Sequence, residues 1–353
     1  MTQRSTPAVK APAQQRMQLP VLADRLSADD LRQTAQSIVD LQLPSGMIQW
    51  FPGGHADPWN HVETAMALST VGFVEEAERA YQWLVDIQLP NGAWHNYYTA
   101  DGIEDAKLDS NCVAYFAAGV WHHYLATGDI DFLHRMWPAT DRAVEFVLSM
   151  QTASGEVTWA KQLDESPWDY ALLTGSSSIG HSLYCAAKVA AALNHDRAHW
   201  TEARNRLVDV IANKPEAFEP KDRWAMDWYY PVLTGAVMGD EAKKRMADGW
   251  DTFVMEDKGV RCVSDEPWVT AAETCECVMA LLAVDDIDSA LTLFDWAQKL
   301  RADDGSYFTG MVFPDLVHFP EDERSSYTAA AVILAADAIY GKNPTSRLFI
   351  DHS

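Results

Sequence analysis

The sequence predicts an all-α protein, an (α/α)6 toroid of six helical hairpins, on three observations. A loop signature recurs along the chain, helical periodicity fills the text between the loops, and the helical spans alternate between half-polar and almost wholly apolar. The signature is a Gln, a turn with Gly, then an aromatic: Gln42 to Gly46 with Trp50, Gln88 to Gly92 with Trp94, and Gln151 to Gly155 with Trp159. A weaker copy, Asp303 to Gly305 with Tyr307, lies near the end. Pro-Ser-Gly, Pro-Asn-Gly and Ala-Ser-Gly are turn chemistry, so each copy marks the exit from one helix.

Taken in order, apolar spacing pairs helices at about 29–43 with 60–72, 75–89 with 110–126, and 130–151 with 177–193. The second half continues with about 198–213 and 227–238, 241–255 and 268–283, and 287–301 and 325–340. Ser27 before two aspartates, Asp109-Ser110-Asn111 before an apolar run, and Gly128-Asp129 supply start and stop signals. The second helix of each pair is rich in small apolar residues, as in the stretch from Cys112 to Val120, and belongs to an inner ring. The first helices carry charge on one face and belong outside. An open superhelical stack is the structural rival, but six pairs is the number that closes a ring.

Residues 1–26 read as a disordered leader without the apolar segment of a signal peptide, residues 27–341 as the toroid, and residues 342–353 as a C-terminal tail. No run reaches the roughly 18 consecutive apolar residues of a membrane helix. Five cysteines, an odd number set mostly in apolar helical text, suit reduced thiols in a cytoplasmic enzyme without disulfides or structural zinc. A net charge of −24 opposes contact with nucleic acid or anionic membrane and favours a neutral substrate. Nothing in the text indicates a protein partner.

A toroid gathers loops from all its inner helices at one pole, so carboxylates in or just after those loops are the candidates for chemistry. Asp57 stands in a stretch crowded with Gly, His and Trp, and reads either as a helix N-cap before Pro58 or as a solvated general base, or both. Glu273 and Glu276 interrupt apolar inner-helix text, where burial would raise a carboxyl pKa as a general acid requires, or where a structural hydrogen bond would hold it. Asp169 follows Trp168 in the third loop, as acid or as ligand for sugar hydroxyls. Asp227 stands among aromatics, as hydroxyl ligand or cap. Asp109 and Glu63 read as capping or bridging residues, and Glu321 as part of a solvated charge run.

Of fourteen Trp, many fall in connectors, where an aromatic face packs on the C–H face of a sugar while neighbouring acids bind its hydroxyls. That assigns Trp59, Trp168, Trp228 and Trp268 as platforms, with Tyr170, Tyr229 and His61 beside them. His55 and His95 are further donors. No paired His and carboxylate spacing suggests a metal, and no cofactor motif is present: Gly175 to Gly180 lacks the P-loop lysine.

Glu165-Ser-Pro-Trp168-Asp169 resembles the Glu-Ser-Gly-Trp-Asp element that carries the acid in trehalase-like (α/α)6 hydrolases, with Pro167 in place of Gly. Phe319-Pro-Glu321 is similar to the segment that supplies the base in glucoamylase-like enzymes. Together with the repeat, these place residues 27–341 in resemblance to the six-hairpin glycosidase superfamily. The chain also resembles the actinobacterial proteins labelled prenyltransferase-like, some of which are mycobacterial α-1,4-endomannanases of methylmannose polysaccharide. Gln88 to Trp94 resembles the QW motif of terpene cyclases, which share the toroid, yet the Asp-x-Asp-Asp acid of those enzymes is missing. The resemblance implies an inverting endo-hydrolase of cytosolic (methyl)mannan, and the reading of the residues adds Glu273 as acid, Asp57 as base and Asp169 in reserve for either role. Alternatives are a glycan-binding toroid without catalysis, and a terpene cyclase or prenyltransferase relative.

Overall fold

The computed structural model describes residues 17–162, 164 and 166–351, and twelve α-helices carry the architecture. In chain order they are α1 (Ala28–Val39), α2 (Pro58–Val71), α3 (Val74–Ile87), α4 (Ser110–Thr127), α5 (Ile130–Leu148) and α6 (Leu173–Ala192). Then follow α7 (Ala198–Asn213), α8 (Ala225–Leu233), α9 (Gly239–Phe253), α10 (Ala271–Ala283), α11 (Ile287–Ala297) and α12 (Ser326–Tyr340). The even-numbered helices pack side by side in the order α2, α4, α6, α8, α10, α12, and α12 returns to α2, so the inner ring is closed. The odd-numbered helices surround it, and the fold is the toroid of six inner and six outer helices that the sequence predicts.

Burial follows the composition. In α2 every residue from His61 to Val71 is buried, and α12 buries Thr328 through Ala338, whereas α1 buries only Leu31, Thr34, Ala35 and Ile38. A helix apolar all round is stable only with neighbours on every side, and one apolar stripe needs a single layer.

The pairing differs from the sequence expectation by one helix. Each outer helix packs most extensively on the inner helix before it: α3 on α2, α5 on α4, α7 on α6, α9 on α8, α11 on α10, and α1 on α12. The cause is connector length. Gly72-Phe73 and Gly128-Asp129 are turns so short that the chain must fold straight back, with Gly72 and Gly128 in the left-handed conformation that ends a helix. The connectors from outer to inner helices are longer, residues 40–57, 88–109, 149–172, 214–224, 254–270 and 298–325. They lie together at the N-terminal ends of the inner helices.

Two helix starts also move. The third inner helix begins at Leu173, so Gly175 and three serines lie within it. Small residues let α6 approach α4 and α7 closely: a methyl at Gly175 would stand 3.6 Å from Asn111 Cβ and one at Gly180 3.5 Å from Val208. Residues 268–270 form a strand paired to Phe308–Val312, which pairs in turn with Val317–Arg324, and the helix starts only after Thr270.

The repeated loop signature is a clasp between outer helices. Gln42 Nε2 donates to Gly46 O within its own turn (3.1 Å) and to Glu76 O on α3 (2.9 Å), while its Oε1 accepts from Arg79 (2.7 Å). Gln88 makes the same bonds to Gly92, Ala139 and Arg142 of α5, and Gln151 to Gly155, Ala203 and Arg206 of α7. The weaker fourth copy closes the outer ring with the roles exchanged: Arg301 donates to Gln33 of α1 (2.9 Å) and Thr34 donates to Gly305 O (2.8 Å). The glycine is required twice over in the second copy, where φ is +92° and a Cβ would lie 2.3 Å from Arg142 O.

Both chain segments outside the ring, as far as they are described, lie against it. Gln18 and Asn343 exchange backbone-to-side-chain hydrogen bonds of 2.9 and 2.8 Å, and Leu26, Leu348 and Phe349 are buried. Residues 1–16 of the expected leader and residues 352–353 of the expected tail fall outside the described residues. No helix among the described residues is long and apolar enough to cross a membrane.

Candidate functional site

At the connector pole the inner helices present their N-termini, and carboxylates gather where backbone N–H groups are unpaired. Asp57 caps α2, accepting from Asn60 N (3.0 Å), Asn60 Nδ2 (2.9 Å) and the indole N–H of Trp50 (2.7 Å). Asp109 caps α4 through Asn111 N (2.9 Å) and Cys112 N (3.3 Å), and accepts from the indole of Trp159. The Cys112 thiol stands 4.0 Å from Asp57 Oδ1, between the two caps. Burial raises the pKa of both aspartates, and these N–H donors oppose it by favouring the carboxylate. The N-cap reading of Asp57 is therefore correct, and it leaves the acid at the pole.

Glu273 is in the first turn of α10, where Thr270 donates to its Oε2, and burial raises its pKa. A chain of contacts ties it to Asp57. Glu273 is near enough to Tyr327 of α12 to hinder ionisation of its phenol, and the Tyr327 ring packs edge-on to Trp50 at 4.9 Å. Trp50 in turn donates to Asp57 and accepts from Ser326 N at 2.8 Å. Tyr97 completes this wall, stacked on His55 at 4.4 Å and edge-on to Trp50 at 5.9 Å.

Beneath the pole lies a second acidic layer. Glu63 is six residues further into α2 than Asp57, about 9 Å at 1.5 Å per residue, and Glu276 is one turn below Glu273. Glu63 Oε1 accepts from Trp59 Nε1 (3.1 Å) and Tyr115 OH (3.0 Å), and Glu276 accepts from Tyr229 and from Tyr230 OH (3.4 Å). The half-buried Trp59 crosses the ring from α2, its centroid 5.9 Å from Tyr115 of α4 and 5.7 Å from Tyr230 of α8 on the opposite side. Burial raises the pKa of Glu63 to about 7 and that of Glu276 well above the usual carboxyl range, with the charge of Asp57 adding to the first shift and those of Glu63 and Glu273 to the second. Below them Phe349 of the C-terminal segment closes the far mouth of the bore, packed 4.9 Å from the His181 ring, and leaves a cavity of about 10 Å³. That holds one water at most.

The other expected site residues are scattered. His61 faces α3: its Nδ1 accepts from Ile48 N (3.2 Å), its Nε2 bonds Ala80 O (3.0 Å), and burial lowers its pKa to about 4. It has no ring nitrogen left for a ligand. Trp228 points outward, donating to Arg245 O (2.8 Å) and stacked on Phe253 at 5.5 Å, so it wedges α8 against α9 and is no platform. Tyr229 and Glu276 are buried beneath the floor. Asp227 accepts from Thr174 Oγ1 (2.5 Å) and N (3.2 Å), fastening the start of α6 to α8.

Asp227 also lines a groove of 1360 Å³ between α7 and α9, together with Tyr170 and the exposed Asp169. This sector lacks the clasp, and the groove lies outside the bore. Asp169 is thus on the rim and does not join Asp57 and Glu273; Glu165 of the same motif falls outside the described residues. Trp168 and Tyr170 cluster on Trp159 at 4.9 and 5.5 Å, and Trp268 stacks on Phe319 at 4.9 Å, all half-buried. Glu321 is exposed on its strand, while Glu323 beside it accepts from Thr309 (2.9 Å).

Sequence reasoning placed Trp50 among the connector tryptophans without assigning it to the site, and passed over Tyr97, Tyr115, Tyr230 and Tyr327. A phenol within small-residue inner-helix text, as at Tyr115, was the available signal. The five cysteines are buried free thiols, and no cluster of three or more His, Cys, Asp or Glu poised for a metal occurs among the described residues.

No protein-family model matches the chain. It is 47% identical over 324 residues, 92% of this chain and 90% of the relative, to the MMP endo-(1,4)-3-O-methyl-alpha-D-mannosidase of Mycolicibacterium hassiacum. Among solved structures it is similar to a wild-type glycosidase (TM-score 0.70, 16% identity, 89% of this chain and 96% of that one). It is also similar to a D-mannose isomerase (TM-score 0.67, 10% identity, 87% and 96%) and to a sugar epimerase from a ruminal bacterium (TM-score 0.65, 12% identity, 87% and 98%). At these identities the structural likenesses concern the fold.

Proposed function

Because the chain belongs to the family of this mycobacterial mannosidase, and is a glycoside hydrolase, we propose that Asp57 and Glu273 cleave internal α-1,4 linkages of a methylated mannan with inversion. The observation that carries the site is the placement of two carboxyls at the starts of the inner-ring helices that flank α12, whose Tyr327 packs on the Trp50 that binds Asp57, with Trp59 as the floor. Glu273, made a weaker acid by burial, is the group that gives a proton to the departing glycosidic oxygen. Asp57, whose carboxyl accepts three N–H bonds, takes a proton from the water that attacks the opposite face of the anomeric carbon. The C–O bond breaks as the new one forms, and the net change is addition of water.

Aromatic walls favour a sugar with added methyl groups, since each methyl enlarges the apolar face offered to Trp59, Trp50 and Tyr97. Trp168, Tyr170 and Trp268 flank the pole and provide outer platforms. Buried free thiols accord with a cytoplasmic site of action. The test is incubation with α-1,4-mannooligosaccharides, with and without 3-O-methyl groups, following the product anomer by NMR. Shorter products of inverted configuration, lost in Asp57→Asn and Glu273→Gln with binding retained, are the expected result. Binding without cleavage by the wild-type protein would make the toroid a glycan-binding module.

A further inference from the structure

The second acidic layer has no part in the acid and base steps just described. Glu63 and Glu276 face one dry bore from α2 and α10, each held by phenols: Tyr115 for Glu63, Tyr229 and Tyr230 for Glu276. Two unpaired negative charges in so small a space would cost several kcal/mol each in lost hydration. Among the described residues no Lys or Arg bonds to either carboxyl, and their side-chain donors are an indole N–H and phenols. Such a pair persists by holding at least one proton between its members.

The Glu63 oxygen that accepts from Tyr115 also accepts from the indole that crosses the bore. Trp59 is in the first turn of α2, and nothing in that turn would by itself choose among its rotamers. The bond from Trp59 Nε1 to Glu63 Oε1, one turn further on at 3.1 Å, selects one. In it the indole lies between Tyr115 and Tyr230 and covers the carboxyls from the pole side. Phe349 covers them from the other side. Glu63 lies beneath the Trp59 indole that it binds, so its influence on a substrate passes through Trp59.

We propose that Glu63 is a positioning residue: its hydrogen bond fixes the Trp59 indole as the platform beneath the sugar, and Glu276 carries the proton that lets both carboxyls share the bore. The inference rests on the reading of Trp59 as a sugar platform. In its fixed orientation the indole presents a flat face to the pole between Asp57 and Glu273. Freed from Glu63, it rotates and the sugar loses its register with the acid and the base, which costs turnover as well as affinity.

The experiment is a double-mutant cycle on the full chain with Trp59→Phe, Glu63→Ala and the pair, read as kcat, KM and the dissociation constant of a 3-O-methylated α-1,4-mannooligosaccharide. Each single change is expected to lower kcat/KM by tenfold or more, with much of the loss in kcat. The double variant is expected to be no worse than the worse single one, because both remove the same bond. Glu63→Gln, which keeps an oxygen acceptor and the volume, is expected to recover most of the loss. Losses that multiply in the double variant, or a Glu63→Ala protein that folds and turns over like wild type, would overturn the proposal. If Glu63→Ala does not fold, Glu63→Met, which nearly keeps the volume and removes the carboxylate acceptor, takes its place in the cycle with Trp59→Phe. If wild type binds but does not cleave, the hydrolase reading fails, and the same cycle read in dissociation constants still tests the bond.

Discussion

At one end of the ring the chain passes from inner to outer helix through turns as short as Gly72-Phe73, and at the other it returns through connectors of up to residues 298–325. The short turns do one thing, which is to fold each outer helix onto its predecessor. The long connectors do two. In four of the six the first half is a clasp, with Gln42, Gln88 and Gln151, and Arg301 in the last, tying outer helices together. Their second halves carry the aromatics and acids of the pole, ending in Asp57, Asp109 and Thr270 as the residues that start inner helices. Structural and functional demands are thus separated along each connector, and the turn pole is free of the second kind.

The sharpest way to break this comparison is to alter the ends of the connectors. Asp57→Asn and Glu273→Gln are expected to lower kcat by about a thousandfold or more, about 4 kcal/mol of barrier, while the thermal midpoint moves by a few degrees. An equal loss of activity from a turn-pole substitution such as Gly128→Ala, at matched stability, would show that the poles are not divided in this way.

Two glycines with the same φ of +92° provide a controlled pair. Gly92→Ala in a clasp would drive a methyl to 2.3 Å from Arg142 O, whereas Gly72→Ala at a turn meets no atom within 4 Å. Denaturant unfolding is expected to show a loss of about 3 kcal/mol for the first and about 1 kcal/mol for the second. Similar losses at both would mean that backbone conformation, and not the clasp, sets the cost.

The bore acids add a further dependence on pH to that of the pole acids. Glu63 ordinarily titrates near 4.5 and in the fold near 7, so folding favours its protonated form. The stability this contributes is complete below pH 4.5 and is lost as pH rises through about 7. Asp57, Glu273 and Glu276 are the other acids close by, with Tyr115, Tyr229 and Tyr230 neutral throughout this range. Wild type is expected to lose about 1–3 kcal/mol relative to Glu63→Gln between pH 5 and pH 8 in parallel urea titrations. Parallel profiles would contradict the assignment.

The smallest effect separates one clasp from the next. Gln151→Ala removes bonds to Gly155 O and Ala203 O and leaves Arg206 without its acceptor, at an expected cost of about 1–2 kcal/mol by thermal melting. No change in kcat should accompany it. A fall in kcat would mean that the clasp helps hold the acids.

What the sequence made legible follows from the range over which each signal acts. Helices and caps are local, so all twelve spans and the starts at Ser27, Asp57 and Asp109 could be read within a few residues. Pairing depends on connector length, which was visible but was outweighed by chain order. The bore was hidden for a different reason: α2, α4 and α8 are apolar all round, and without a polar face nothing says which residues turn inward. Side chains advance about 100° per residue on a helix. Trp228 therefore faces α9 while Tyr229 and Tyr230 reach Glu276, although all three look alike in the text. His61 next to Trp59 failed as a ligand in the same manner.

The Phe349 stopper has a consequence for how a long polymer meets the protein. With the lower mouth filled, the ring has an entrance and no exit, so a chain cannot be threaded through it and pulled along like a rope through an eyelet. A polysaccharide must be laid across the rim from the side. That mode of access needs no free end.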